Sequence, residues 1–228
     1  MTEALAQRRE AVRSVRGLAR LRVRDGSQSN SSREALVVER PDRLRVEVLS
    51  ALGAVFVLTT DNGTLTAYAR NENTLYHGTA SPENLARYAG LGLPVTALVD
   101  LVLGTPPPSQ STAGTVGFDK ASGWTGLSES VPDGIRITWF SSSQVPVLVE
   151  QRDGRGDVLW RASFGQYEDH RGLLVATQIG LEVPAASRSI EIILENVDVN
   201  PTLDDSLFVL ATPPGSRVVS LDQPQPEP

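Results

Sequence analysis

The 228 residues contain no cysteine. That excludes disulfides, thiolate nucleophiles and thiolate-ligated metals, and leaves the compartment open. Lysine is almost as scarce: Lys120 is the only one, and the remaining cationic side chains are arginines. With a net charge of -6, the chain lacks the basic excess of a general nucleic-acid binder. No run of 18 apolar residues occurs, so no helical membrane span is expected. The start, MTEALAQRREAVRSV, is charged and lacks the basic, apolar, small-residue order of an export signal. Two readings follow: a cytosolic protein, or an exported one whose signal and lipid-bearing cysteine preceded Met1. Only two histidines occur, His77 and His170, and neither has a ligand-spaced partner. Ser141, Ser142 and Ser143 lack the Gly-x-Ser-x-Gly setting of a nucleophile elbow, and no phosphate-cradling glycine loop is present. No catalytic residue, metal ligand or cofactor site is therefore expected.

What is present is ordinary globular material, 40% hydrophobic and 21% charged, with a dominant period of two. After a helix over residues 3 to 14, GLARLRVRD alternates Ala19, Leu21 and Val23 with three arginines, and DRLRVEVLS alternates Leu44, Val46 and Val48 with Arg43, Arg45 and Glu47. GIRITWF aligns Ile135, Ile137 and Trp139; VLWRASF aligns Val158, Trp160, Ala162 and Phe164; SIEIIL aligns Ile190, Ile192 and Leu194. Such strands have one wet face. Asp61-Asn62-Gly63, Pro132-Asp133-Gly134 and Asp153-Gly154 supply the hairpin connections of a large antiparallel sheet. In AVFVLTT, Phe56 and Leu58 fall on one face and Val55 and Val57 on the other: either a strand covered on both sides, with the N-terminal helix as the candidate cover, or a membrane-proximal or partner-docking face beside Leu52.

One region interrupts the meander. Ser81 and Pro82 start a helix in SPENLARYAG, and LPVTALVDLVLG reads as a second, about ten residues long, with Pro94 at its start and Gly104 past its end. Val95, Leu98, Leu101 and Val102 leave only Thr96 and Asp100 as a polar edge, so this helix requires apolar neighbours on more than one side. The fold expected is mainly β with helices: an incomplete, half-open antiparallel barrel of about 10 to 11 strands, the helices on its concave side. Residues 1–222 read as a single domain, residues 223–228 as a disordered tail, and PPPSQST as a loop. Leu44, Val46, Val48, Phe56, Trp139, Trp160 and Ile192, with Val95, Leu98, Leu101 and Val102, are candidates to face the enclosed space. Alternation alone does not separate packed core from the lining of a ligand cavity.

The segments PDRLRVEVLSALGAVFVLTT, TLYHGTASPENLARYAGLGLPVTALVDLVLGTP and SIEIILENVDVNP, in that order, resemble the lipoprotein receptor family LolB and the wider LolA/LolB-like superfamily over about residues 10 to 200. Ser50, Leu52 and Gly53 match the family's Ser/Asn-Pro-Leu-Gly loop, with Ala51 in place of proline; Leu93, Pro94, Leu103 and Gly104 match its helix phrase. The tail LDDSLFVLATPPGSRVVSLD is closer to the LolA-like branch. The resemblance implies a non-enzymatic protein whose apolar cavity takes acyl chains, the residues above being lipid-binding and Leu52 membrane-contacting. It further implies acylated lipoproteins or lipids as cargo, a periplasmic carrier and the inner leaflet of the outer membrane as partners, and a location in the bacterial periplasm as an outer-membrane lipoprotein. The alternative is a structural or docking lipoprotein of an envelope assembly with the same fold and no transfer activity.

Overall fold

The computed structural model describes residues 1–90, 92–109 and 114–223. Gln110, Ser111 and Thr112 of the expected loop, and residues 224–228 of the expected tail, lie outside the described residues. Fourteen strands are described: β1 (Ser14–Asp25), β2 (Gln28–Glu39), β3 (Arg43–Ser50), β4 (Gly53–Asp61), β5 (Thr64–Ala69), β6 (Thr74–Thr79), β7 (Gly114–Asp119), β8 (Trp124–Val131), β9 (Gly134–Phe140), β10 (Pro146–Arg152), β11 (Val158–His170), β12 (Leu173–Val183), β13 (Arg188–Val199) and β14 (Arg217–Ser220). Three helices accompany them, α1 (Thr2–Ala11), α2 (Pro82–Ala89) and α3 (Val95–Val102).

The strands hydrogen-bond in the order β14-β6-β5-β4-β3-β2-β1-β13-β12-β11-β10-β9-β8-β7. The order ends on β14 and β7 without returning, so the sheet is open, as the sequence predicts, with α2 and α3 inserted midway in the chain. Its strands number fourteen rather than 10 to 11, and β14 pairs with β6 in parallel.

The chain divides into two compact units. One comprises Met1–Val12, Leu21–Ser31 and Asp100–Leu194; the other comprises Arg13–Arg20, Ser32–Val99 and the residues from Glu195 on. They are named here by their main strands, β7–β12 and β3–β6.

In the β3–β6 unit, three unbroken rows of side chains cross five strands on one face. They are Val38, Leu44, Thr60, Leu65 and Gly78; Leu36, Val46, Leu58, Ala67 and Tyr76; and Glu34, Val48, Phe56, Ala69 and Thr74. Helix α2 packs on this face. Ser81 caps it by accepting from Asn84 N, Pro82 fills its first turn, and the Tyr88 ring meets Phe56 and Tyr76 at centroid distances of 5.6 and 6.1 Å. The opposite face is covered by the C-terminal segment rather than by the N-terminal helix. A 3-10 turn over Asp205–Phe208, capped by Asp204, is held by Arg43, whose guanidinium donates to Asp61 and Asp205 at 2.8 Å and to Glu39 at 3.1 Å. That guanidinium also lies 5.4 Å from the Phe208 ring centroid, and Arg45 donates to Leu207 O at 2.7 Å. Exposed pairs of this kind contribute at most about 1 kcal/mol each, but one guanidinium satisfying three carboxylates fixes where the segment crosses.

In the β7–β12 unit, Leu127, Thr138, Val149, Ala162 and Leu181 are register partners from β8 to β12, and all are buried. Strand β7 forms an edge of the sheet and is exposed along five of its six residues, Phe118 to 65%. The β8–β9 turn places Gly134 at φ +133°, where an added Cβ would stand 2.1 Å from Arg152 O. Both the conformation and the contact demand glycine. Gly134→Ala is expected to cost about 3 kcal/mol in urea unfolding. Gly154→Ala, whose Cβ meets nothing within 4 Å, is expected to stay within about 0.5 kcal/mol of the parent.

Candidate functional site

The face beneath α2 is not uniformly dry. Its first row is sealed: Val38, Leu44, Thr60 and Leu65 are all buried. Toward the β3–β4 hairpin the cover thins, and Val46, Val48 and Phe56 are only half-buried, as are Tyr76 and Tyr88. An apolar surface of β-branched and aromatic side chains therefore remains partly open at one end. The same hairpin carries Leu52, 87% exposed at its tip. The tip is braced: Leu52 N donates to Ser50 Oγ at 3.2 Å, Ser50 Oγ donates to Gly53 O at 2.8 Å, and Arg70 donates to Leu52 O at 3.3 Å. Gly53, at φ +99°, allows the reversal.

One polar group interrupts the apolar rows. Glu34, on β2, opposes Val48 and is 4% exposed. Its carboxylate accepts from Ser32 Oγ at 2.9 Å. Burial pushes its pKa above the ordinary glutamate value, and the Ser32 hydrogen bond offsets this in part.

Helix α3 is apolar nearly all round, as its sequence predicts. Val95, Leu98, Val99, Leu101 and Val102 are buried, and Thr96 is exposed; each buried aliphatic side chain contributes about 2 kcal/mol. The helix closes with Gly104 at φ +71° and Thr105 N donating to Asp100 O, a Schellman-type end. Asp100, expected on a polar edge, is fully buried and pairs with Arg9 of α1 at 2.5 Å. Past the helix, a Cβ on Gly104 would touch Ala176 Cβ at 3.4 Å, and Arg136 donates to Pro107 O at 2.5 Å. These contacts seat the end of α3 and the following loop on the buried face of the β7–β12 unit.

Trp160 and Ile192 lie on that face, both buried, on the same side as Ala162, Phe164, Ile179, Leu181 and Ile190. Trp139 does not. It opposes Leu148 and covers Gly126, whose added Cβ would lie 2.8 Å from the indole. The buried side of β9 is Arg136, Thr138 and Phe140. The assignment of Trp139 to the enclosed side is corrected for that reason: the buried guanidinium donates from its two terminal nitrogens to Pro107 O and, at 3.3 Å, to Gln151 Oε1, which lets the more polar set of β9 turn inward. Residues that sequence reasoning missed are Glu34, Tyr76 and Tyr88. Two of the three are aromatic, and Tyr88 lies in the last turn of the helix whose start the Ser-Pro signal had located.

Among the described residues no helix is long and apolar enough to cross a membrane, and no three histidines, aspartates or glutamates gather as for a metal. His77 Nδ1 lies 3.2 Å from Thr66 Oγ1 and His170 lies 3.7 Å from Glu168, each in a local polar contact.

No protein-family model matches the sequence, and no curated protein matches it significantly. Solved structures do match in fold. A DUF1329 family protein from Desulfovibrio piger aligns with a TM-score of 0.62 at 12% identity, over 91% of this chain and 94% of that one. An outer membrane lipoprotein-sorting protein domain from Vibrio parahaemolyticus aligns at 0.59 and 11% identity, over 91% and 95%. A LolA superfamily protein from Nitrosomonas europaea aligns at 0.56 and 10% identity, over 92% and 97%. The chain has a LolA-like fold.

Burial holds the Tyr88 phenol up at about 12, against about 10 in an unfolded chain. Because the neutral form is the one favoured by folding, this contribution is complete below pH 10 and is lost as pH rises from 10 to 12. Ultraviolet titration of Tyr88→Phe is expected to lack one late phenol ionisation and to keep another, that of Tyr167, which burial likewise holds at about 12.

Proposed function

We propose that this chain is a non-enzymatic lipid- or lipoprotein-binding protein of a bacterial envelope. Its acyl-binding surface is the partly open face formed by Leu44, Val46, Val48 and Phe56. The observation that carries the reading is the gradient on that face, from the sealed first row to half-exposed Val46, Val48 and Phe56. A packed core has no need of such an opening, whereas an acyl chain gains about 0.8 kcal/mol per methylene moved out of water. The likeness in fold to a lipoprotein-sorting domain and a LolA superfamily protein supports the same reading. Val95 and Leu98, in the same unit, are proposed to extend this apolar lining; Leu101, Val102, Trp160 and Ile192 are proposed as apolar lining of the β7–β12 unit taken by itself, and Trp139, on the other side of β9, is not.

The finer reading is a LolB-like receptor at the inner leaflet of the outer membrane, taking acylated lipoproteins from a periplasmic carrier. Its support is Leu52, an exposed leucine on a braced hairpin beside the open end of the face. Transfer in this reading needs no nucleotide: cargo moves to whichever surface binds it with lower free energy.

Titration with a fluorescent acyl probe, with native mass spectrometry of the purified protein, tests the proposal. Saturation near one probe per chain is expected. Val46→Asp is expected to weaken binding at least about tenfold, because a charge on this face must be desolvated when the probe binds. Thr64→Asp, at an exposed position on the far side of the β4–β5 hairpin, is expected to leave it unchanged. Equal binding by both variants rejects this face as the site. In vesicle co-sedimentation, Leu52→Asp is expected to reduce membrane association without altering probe affinity; undiminished association rejects the role given to Leu52.

A further inference from the structure

Glu34 is unusual among the buried carboxylates of this chain. Asp100, equally sequestered, has Arg9 at 2.5 Å, and Glu150 has Arg152 at 2.8 Å with Arg161 at 3.7 Å. Glu129 opposes Arg136 in register. Among the described residues Glu34 has no ion-pair partner, and its one hydrogen-bond partner is the Ser32 hydroxyl, two residues away on the same strand. Nor does it sit in a polar cluster: its row continues through Val48 and Phe56, and the next row holds Leu36, Val46 and Leu58. A carboxyl placed at 4% exposure on an apolar face costs stability unless something compensates it. Its row is also the one in which Val48 and Phe56 are left half-covered. The carboxylate without an ion-pair partner and the opening therefore coincide.

We propose that Glu34 is the head-group contact of this surface, recognising an amphiphile whose polar end is a hydrogen-bond donor, strongest for a protonated primary amine, with its alkyl chain lying over Val48, Phe56 and Val46. This rests on the acyl-binding reading of the face and deepens it by naming the head chemistry. The ammonium supplies the charge partner that the fold withholds from Glu34, and supplies it where water is scarce and a charge-assisted hydrogen bond is strong. A carboxylate head meets like charge at the same point and is disfavoured. An ester head has no donor to offer and binds through its chain alone. Burial disfavours the bare carboxylate and raises its pKa, a penalty that a cation placed beside it would offset.

The test compares dodecylamine, dodecanoate and methyl dodecanoate, each below its aggregation concentration, by displacement of the fluorescent acyl probe from wild type, Glu34→Gln and Glu168→Gln. Glu168 is exposed on another strand and controls for the loss of one negative charge in an anionic protein. The expected result is an order of amine over ester over dodecanoate in wild type and in Glu34→Gln's control. The amine preference, about tenfold over the ester, is expected to collapse in Glu34→Gln alone. Equal affinity for the three heads, or a preference that survives Glu34→Gln, overturns the inference while leaving acyl binding intact. Failure of every probe to bind wild type overturns the acyl-binding reading itself and this inference with it. Should Glu34→Gln not fold, as judged by circular dichroism, Ser32→Ala carries the test. It frees the carboxylate from the hydroxyl that orients it, and an amine preference shifted by about threefold is expected, with an unchanged ratio counting against the proposal.

Discussion

The structure depends on register. Because side chains alternate along each strand, the three rows running from β2 to β6 exist only if four consecutive pairings hold their alignment. A slip of β3 by one residue would send Arg43, Arg45 and Glu47 beneath α2 and turn Leu44, Val46 and Val48 outward. The rows are protected from both sides. Tyr88 locks onto Phe56 and Tyr76 above, while Arg43 gathers Glu39, Asp61 and Asp205 below. The second clamp also explains why the C-terminal segment returns to the middle of the sheet before reaching β14 at its edge.

Much of this was legible in the sequence, for a physical reason. Wherever one face of a strand is wet and the other dry, alternation appears in the residues, as it does in DRLRVEVLS, which matches β3 to within a residue; GIRITWF gives the bounds of β9 but not its inner face. The strands left unanticipated lack that contrast. The first half of β2 is polar on both faces, β7 is exposed on nearly all of its length and includes two glycines, and β14 has four residues. The Asn-Gly turn of β4–β5 and the Ser-Pro start of α2 were readable because their backbone conformations restrict residue choice.

Which side of a strand turns inward was less legible. The apolar set of β9, Ile135, Ile137 and Trp139, looked like the inner one. Arg136 is nevertheless the buried residue, because a carbonyl 29 positions earlier accepts a hydrogen bond from it, and no local pattern announces that partner. Glu34 escaped for a similar reason: in sequence it continues a polar stretch, and only its pairing with Val48 shows that it ends up on an apolar face. Long-range compensation of buried polar groups is invisible to periodicity.

Strand β7 closes one end of the strand order, and Lys120 follows it directly in the turn to β8. As the sole lysine of the chain, it makes that edge chemically addressable. An amine-reactive dye or cross-linker can attach only there and at the amino terminus, which turns a quirk of composition into a built-in reporter for anything that approaches the uncovered rim of the sheet.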